Sequence, residues 1–385
     1  MDGLPAFSGR REDRRLLTGA GHYTSDHALP GELHAVFVRA DRAHARIVSI
    51  DLEAARAAPG VALVLTGADT REAGFHRTPT LLPYTGRGGA PLIVPPRRAL
   101  ADDKVRYVGE PVLLVLADTV QRAMDAAELA VIEYDDLAPV VQAEDALASG
   151  AETIHAEAPG NLCFDYEYGD EAAVQAAFDS AAHVVTLDLT SDRVVGNPME
   201  PKAALVAWSD GVLHLWAGNQ GSVALRDSLA GLTGLDPATI VVHADDVGGG
   251  FGIRGPAYAE HVAMALAARL SERPVKWVAS RSETFLSDYH GRGLTMRGAL
   301  ALDVEGRFLA LRHEWVCDQG AYPVATGPLI STLNPAMMCT GCYRVPAVHG
   351  RHRLALTNTV PITAYRGAGR PDMAYVVERL VDEAA

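Results

Sequence analysis

Residues Val247 to Gly255 read VGGGFGIRG, and a run this rich in glycine admits little besides a tight loop that lies close to another group. Without a Cβ, glycine takes positive φ freely and lets a backbone or a ligand approach its main chain. The run follows the β-branched stretch TIVVHADDV. It precedes Tyr258 to Leu270, where Val262, Leu266 and Leu270 recur at every fourth position. That order predicts a strand, a glycine loop and a helix. Successive glycine N–H groups at the positive end of a helix suit an anion.

Two other readings of the loop stand beside this one. Gly250, Gly252 and Gly255 satisfy GxGxxG, and Ser280-Arg281 closes the next strand, as in an NAD(P)-dependent dehydrogenase that prefers a 2′-phosphate. Such a fold requires further parallel strands. The segments after Arg281, LTMRGALALDV and FLALRHEWVCD around Glu305-Gly306-Arg307, instead read as an antiparallel pair, and no acidic residue ends the second strand. The plainest alternative is a turn that only packs a helix on a sheet.

The rest of the chain predicts an α+β fold in two units. Val- and Leu-rich runs at residues 33 (LHAVFVRA), 60 (GVALVLTG) and 106 (RYVGEPVLLVLA) predict a small sheet domain over residues 1–138, with an amphipathic helix from Val120 to Tyr134. Residues 139–159 read as a polar linker. A second unit, 160–385, carries the strands HVVTLDLTS, AALVAWSDGVLHLWAG, TIVVHADDV and VKWVAS, and a helix from Ser222. Pro371 marks the first turn of a last helix along Met373, Val377, Leu380 and Ala384. That helix reaches Ala385 without a glycine cap, so the expectation is that a second chain, or a longer polypeptide, continues the structure.

Composition narrows the function. The formal net charge of −14 over 385 residues disfavours nucleic acid as a partner. The start, MDGLPAFSGRREDRR, has no apolar signal core, and no eighteen-residue apolar window occurs, so no membrane span and a cytoplasmic location are expected. Four cysteines are too few for a secreted disulfide framework. Cys163 and Cys317 read as core thiols, and the CxxC of Cys339 and Cys342 supplies only two of the four ligands of a zinc site. The fourteen histidines contain no HExxH, and HGRH at His349 to His352 reads as a basic loop. No metal ligand is assigned.

Several segments, in order, resemble the large subunits of the xanthine dehydrogenase, aldehyde oxidase and carbon monoxide dehydrogenase family, the molybdenum hydroxylases. They are GRREDRRLLTGAGHYTSD, VRYVGEPVLLVLADT, GNPMEPKAALVAW, LHLWAGNQGS, VGGGFGIRG, RPVKWVASRSE, DQGAY and AYRGAGRPDMAYVVERLVDEAA. The resemblance covers nearly the whole chain. It implies a hammerhead-like α/β N-terminal domain followed by the first of two molybdopterin-binding α+β domains.

Carried over position by position, Gln220 matches the glutamine whose amide approaches the metal's oxo ligand. Phe251 and Gly252 match the Phe-Gly pair whose backbone lies against the cofactor, with Gly250 permitting that approach. Arg366, with Gly367 and Ala368, matches the loop beside the metal that faces the substrate. Without the resemblance, Gln220 would read as a polar strand-end residue, Phe251 as core and Arg366 as a solvated arginine. The implied cofactor is a molybdopterin-type molybdenum cofactor, in its cytosine dinucleotide form as one option. Iron–sulfur clusters and FAD are expected on partner subunits, because four scattered cysteines cannot hold two clusters. The implied reaction hydroxylates an electron-poor carbon of a small-molecule substrate with oxygen from water. Its glutamate base belongs to the second cofactor domain, which the resemblance puts beyond Ala385, so no catalytic residue is assigned here. Gly367 stands where carbon monoxide oxidisers have a copper-binding cysteine, and Gly255 where purine oxidisers have a glutamate. The first departure and the AYRGAGR loop favour an aldehyde or an N-heterocycle as substrate, and the second disfavours a purine. A truncated, non-catalytic assembly protein is the competing reading of a different class.

Overall fold

The computed structural model describes residues 9–75 and 82–385. Its largest element is a seven-stranded sheet in the order Ile240–His243, Val212–Trp216, Ala203–Ser209, Val275–Val278, Leu33–Arg39, Pro111–Ala117, Val61–Leu65. Strands from the first and second predicted units meet inside it. Leu33–Arg39 runs parallel to Val275–Val278, with Leu33 opposite Val275 and His34 opposite Lys276.

One core covers that seam. Phe37 meets Trp277 edge to face at 5.2 Å, and Leu33, Leu65, Leu114 and Leu116 share a buried cluster with Leu213, Leu215, Leu225 and Leu229. Helix Ala259–Ser271 lies over it with ten consecutive buried residues, Ala259 to Ala268. A helix this apolar on all sides belongs between layers rather than on a surface.

A second, five-stranded sheet runs Leu162–Gly169, Ala347–Ala355, Phe308–Asp318, Leu294–Leu302, His183–Ser191. The expected antiparallel pair is present, with Leu300 opposite Leu311. Helix Arg370–Ala384, with proline in its first turn, packs on this sheet where Gly298 leaves room for Val376 and Leu380. Its helical bonding runs on to Ala385, whose N–H donates to Val381 O at 3.1 Å. Cys163 and Cys317 are buried, as read.

Three local readings change. The helix starting at Val120 ends at Glu128, and Val131–Asp136 is a strand paired with Ala45–Asp51. Its Val-Ile-Glu-Tyr run suits a pleated surface better than a helix. Residues 139–159 are packed rather than extended: Ala143 and Ala146 share a core with Val316 and Ala355, and the Val140 N–H donates to Asn358 Oδ1 at 2.9 Å. His349 to His352 is no basic loop. It lies in strand Ala347–Ala355 between two partners, with His352 stacked on Trp315 at 4.4 Å. Polar residues mask a central strand when their rings are stacked and their nitrogens hydrogen-bonded.

Candidate functional site

The glycine loop leaves the edge strand Ile240–His243 and is held before it reaches its first glycine. Asp246 accepts from the His22 N–H at 2.8 Å and from Arg15 Nη2 at 2.6 Å. Glu200 then takes the Gly248 N–H on Oε2 at 2.8 Å and the Thr24 N–H on Oε1 at 3.3 Å, while its own N–H donates to Gly248 O at 3.1 Å. A Cβ on Gly248 would stand 2.4 Å from Glu200 Cβ. Glycine is therefore required there by the protein's own packing.

Gln220 follows strand Val212–Trp216 and crosses over the middle of the loop. Its Oε1 accepts the Gly252 N–H at 2.7 Å, its own N–H donates to Arg254 O at 3.1 Å, and a Cβ on Gly250 would lie 2.5 Å from Gln220 Cγ. A carboxamide has one accepting oxygen and a donating NH2. With the oxygen turned to Gly252, the NH2 of this exposed residue is left to an acceptor outside the loop.

Phe251 holds a left-handed φ of +52° and is 39% exposed, so it is not core. A non-glycine residue in this region carries strain of about 1–3 kcal/mol, which the surrounding bonds must hold. Gly252, at φ +100°, touches the second predicted loop: a Cβ there would stand 2.2 Å from Ala364 O. In that loop Gly367, Ala368 and Gly369 all have positive φ, +95°, +52° and +82°. The Ala368 N–H donates to Tyr365 O at 2.6 Å, Asn334 Nδ2 donates to Ala368 O at 2.9 Å, and Arg292 Nη2 donates to Arg366 O at 3.3 Å. Arg366 is exposed. Gln220, Gly250 and Gly252 thus meet directly, Phe251 sits between them, and the turn bearing Arg366, Gly367 and Ala368 abuts the same loop.

Behind the loop is a buried charge cluster that sequence reasoning missed. Arg254 Nη2 donates to Glu200 O at 3.2 Å, and its Nη1 stands 3.5 Å from Asp288. Lys202 Nζ lies 3.3 Å from Glu260 and 3.7 Å from Asp288, and Arg39 bridges Glu260 and Glu283 at 2.9 and 2.8 Å. Burial works to raise the Glu260 carboxyl, but Lys202 and Arg39 outweigh it and hold it far below the usual carboxylate range. Burial lowers Lys202, with Glu260 and Asp288 opposing. The available signal was Glu260-His261 at the head of an otherwise apolar helix, and Lys202 directly before an apolar strand; charges so placed are buried only when paired.

The geometry weighs between the competing readings of the glycines. A dinucleotide fold needs the strands flanking the glycine-loop helix to be neighbours in a parallel sheet. Here Ile240–His243 and Val275–Val278 are separated by Val212–Trp216 and Ala203–Ser209, and Val275–Val278 is antiparallel to the latter. The helix itself starts beyond the loop at Ala259, its Tyr258 N–H donating to His261 Nδ1 at 3.2 Å. The nicotinamide reading is not favoured. What remains is an exposed amide whose NH2 is free to donate, beside two glycine-containing turns of positive φ. Those residues fit a molybdopterin-type group, which offers oxygen acceptors to an amide and a flat body to a backbone without side chains.

Comparison with known proteins agrees. The family model for the aldehyde oxidase and xanthine dehydrogenase a/b hammerhead domain matches residues 18–138, and that for the molybdopterin cofactor-binding domain matches 154–385. The chain is 37% identical to the 6-hydroxypseudooxynicotine dehydrogenase complex subunit gamma of Paenarthrobacter nicotinovorans over 97% of this chain and 46% of that protein. It is 30% identical to the nicotinate dehydrogenase large molybdopterin subunit of Eubacterium barkeri over 92% of this chain and 79% of that one. Among solved structures, quinoline 2-oxidoreductase from Pseudomonas putida 86 superposes with a TM-score of 0.90 at 36% identity, over 98% of this chain and 47% of that one. The chain therefore spans about half the length of several relatives it matches. With the hammerhead and cofactor-binding matches in the order its residues predicted, it belongs to the molybdenum hydroxylase large-subunit family.

Proposed function

We propose that Gln220, Gly250, Phe251 and Gly252, with the turn Arg366, Gly367 and Ala368, form one wall of a molybdopterin-type cofactor site in an oxidoreductase that hydroxylates an aldehyde or N-heterocycle. When bound, the cofactor supplies the oxidation itself, with water as the oxygen source. This chain's share is binding and orientation. Gln220 presents N–H donors whose direction is set by Gly252, Gly250 and Gly252 keep side chains out of the contact face, and the exposed Arg366 brings a positive charge to its edge. The observation that carries this reading is the Gly252 N–H to Gln220 Oε1 bond at 2.7 Å, because it engages the amide oxygen and leaves the NH2 of an exposed side chain free to donate.

Quinoline and nicotinate, the compounds in two relatives' names, are N-heterocycles, which supports that substrate class; an aldehyde is the second choice. A polypeptide segment other than the residues up to Ala385 would supply the opposite wall and the glutamate base, and iron–sulfur and FAD subunits would take the electrons. The cytosine dinucleotide is one form this cofactor could take, and a cytoplasmic location is proposed for the complex. Among the described residues no helix is long and apolar enough to cross a membrane.

The test is metal and pterin analysis of the natively purified complex, with about one molybdenum and one pterin per chain expected; a complex free of both overturns the proposal. Within a loaded complex, Gln220→Glu keeps an acceptor for Gly252 but removes the outward donors. Turnover should fall about a hundredfold while pterin content is retained. Unchanged turnover would take the amide out of the reaction.

A further inference from the structure

A group of metal-ligating side chains lies at the approach to the glycine loop and plays no part in the proposed reaction. His22 Nδ1 stands 3.4 Å and His27 Nε2 2.9 Å from the same Asp245 oxygen, Oδ2. The two imidazole rings meet edge to face at 4.1 Å, and one ligand atom from each of the three residues lies within 4.8 Å of the others. We propose that His22, His27 and Asp245 bind one divalent transition-metal ion of the zinc class.

The spacing fits such an ion. Zinc binds imidazole nitrogen and carboxylate oxygen at about 2.0–2.2 Å, which sets neighbouring ligands of a tetrahedron about 3.3 Å apart. Two imidazoles with one carboxylate select zinc, nickel or copper over magnesium and calcium, which prefer oxygen ligands throughout. The fourth position opens to solvent, since the His22 and Asp245 side chains are 51% and 55% exposed while His27 is 18% exposed.

The backbone on both sides is already fixed, so binding needs little ordering. The His22 N–H is held by Asp246 at 2.8 Å. His27 follows the short 3-10 turn Thr24–Asp26, in which Asp26 accepts the Tyr23 N–H at 2.8 Å, and His27 O accepts from Lys276 Nζ at 2.7 Å. The site would fasten the N-terminal segment to the approach of the glycine loop, three residues before Gly248. Without a metal, the same contacts amount to two histidine–aspartate pairs, one of them exposed on both sides, so metal uptake separates the two accounts.

Zinc affinity of the purified chain should be measured by competition with a chromogenic chelator, and cobalt(II) uptake by visible absorption. The expected result is one ion per chain, with affinity reduced at least about tenfold in His22→Ala, His27→Gln and Asp245→Asn. His349→Ala should bind as the parent does; it alters the other possible cluster among the described residues, Glu167, Glu171 and His349, which offers a single imidazole. His22→Ala removes a half-exposed side chain, and its metal-free melting curve should match the parent's, so its loss of binding is read on folded protein. No stoichiometric uptake by the parent, unchanged affinity in the three variants, or loss that follows His349→Ala instead would overturn the proposal.

Discussion

Gly250 and Gly252 stand two positions apart, yet an added methyl meets a side chain at one and a backbone at the other. At Gly250 the neighbours are Cγ and Cδ of Gln220, at 2.5 and 2.6 Å, and an exposed glutamine can swing away. At Gly252 the neighbour is the Ala364 carbonyl oxygen at 2.2 Å, and φ is +100°. Gly250→Ala should therefore leave the melting temperature within about 1 °C while displacing Gln220 and lowering pterin content. Gly252→Ala should cost about 2–3 kcal/mol of stability, measured by denaturant unfolding. Equal effects at the two positions would show that the loop yields as a unit. Glu200 belongs to the same level of detail: it lies in the GNPMEP run, but its clasp on the loop is not readable there, because its partners Thr24 and Gly248 lie far from it in sequence.

Helices and hairpins with a strong period were legible from residues alone. The Leu294–Leu302 and Phe308–Asp318 pair, the helix Ser222–Thr233 and the proline-started terminal helix have apolar residues spaced as their final packing needs. Ala347–Ala355 was not legible, because His349, Arg351, His352 and Arg353 carry no apolar alternation; the strand is held by Asp165 on Arg351 and by Trp315 on His352, contacts that only the tertiary fold creates. The candidate site divides the same way: its glycines and Gln220 lie in recognisable runs, whereas Lys202, Glu260 and Asp288 acquire meaning only when burial pairs them. The terminal helix offers a direct check on packing. Gly298 would place a Cβ 2.9 Å from both Val376 and Leu380, so Gly298→Val should push the helix off its sheet and lower stability by about 1–3 kcal/mol. Calorimetry that shows no lower midpoint would mean that this helix is not seated as described.

Protons should act on the molecule as a whole. Burial, the largest cause in each case, pushes His155 down to about 3 and His261, His290 and His352 down to about 4; Arg106 adds to the effect on His155 and Arg193 to that on His290. Unfolded histidines bind protons near pH 6.5, so between about pH 6.5 and 4 the unfolded chain takes up more protons than the folded one. Stability from these groups is present above that window and lost as pH falls through it. The thermal midpoint should be nearly flat above pH 7 and decline from about pH 6.5, before carboxylates begin to protonate. A midpoint that stays constant down to pH 5 would mean these rings are not buried in neutral form. Such buried groups are spread through the chain, from His155 to His352, and so is the sheet that ties its halves together. Because Leu33–Arg39 finds its parallel neighbour only in Val275–Val278, that strand must wait during synthesis, with an open edge, until the chain beyond residue 278 has emerged. Synthesis thus exposes a sheet edge able to pair with other nascent copies, and a holding chaperone would matter more for the early part of this chain than its length alone implies.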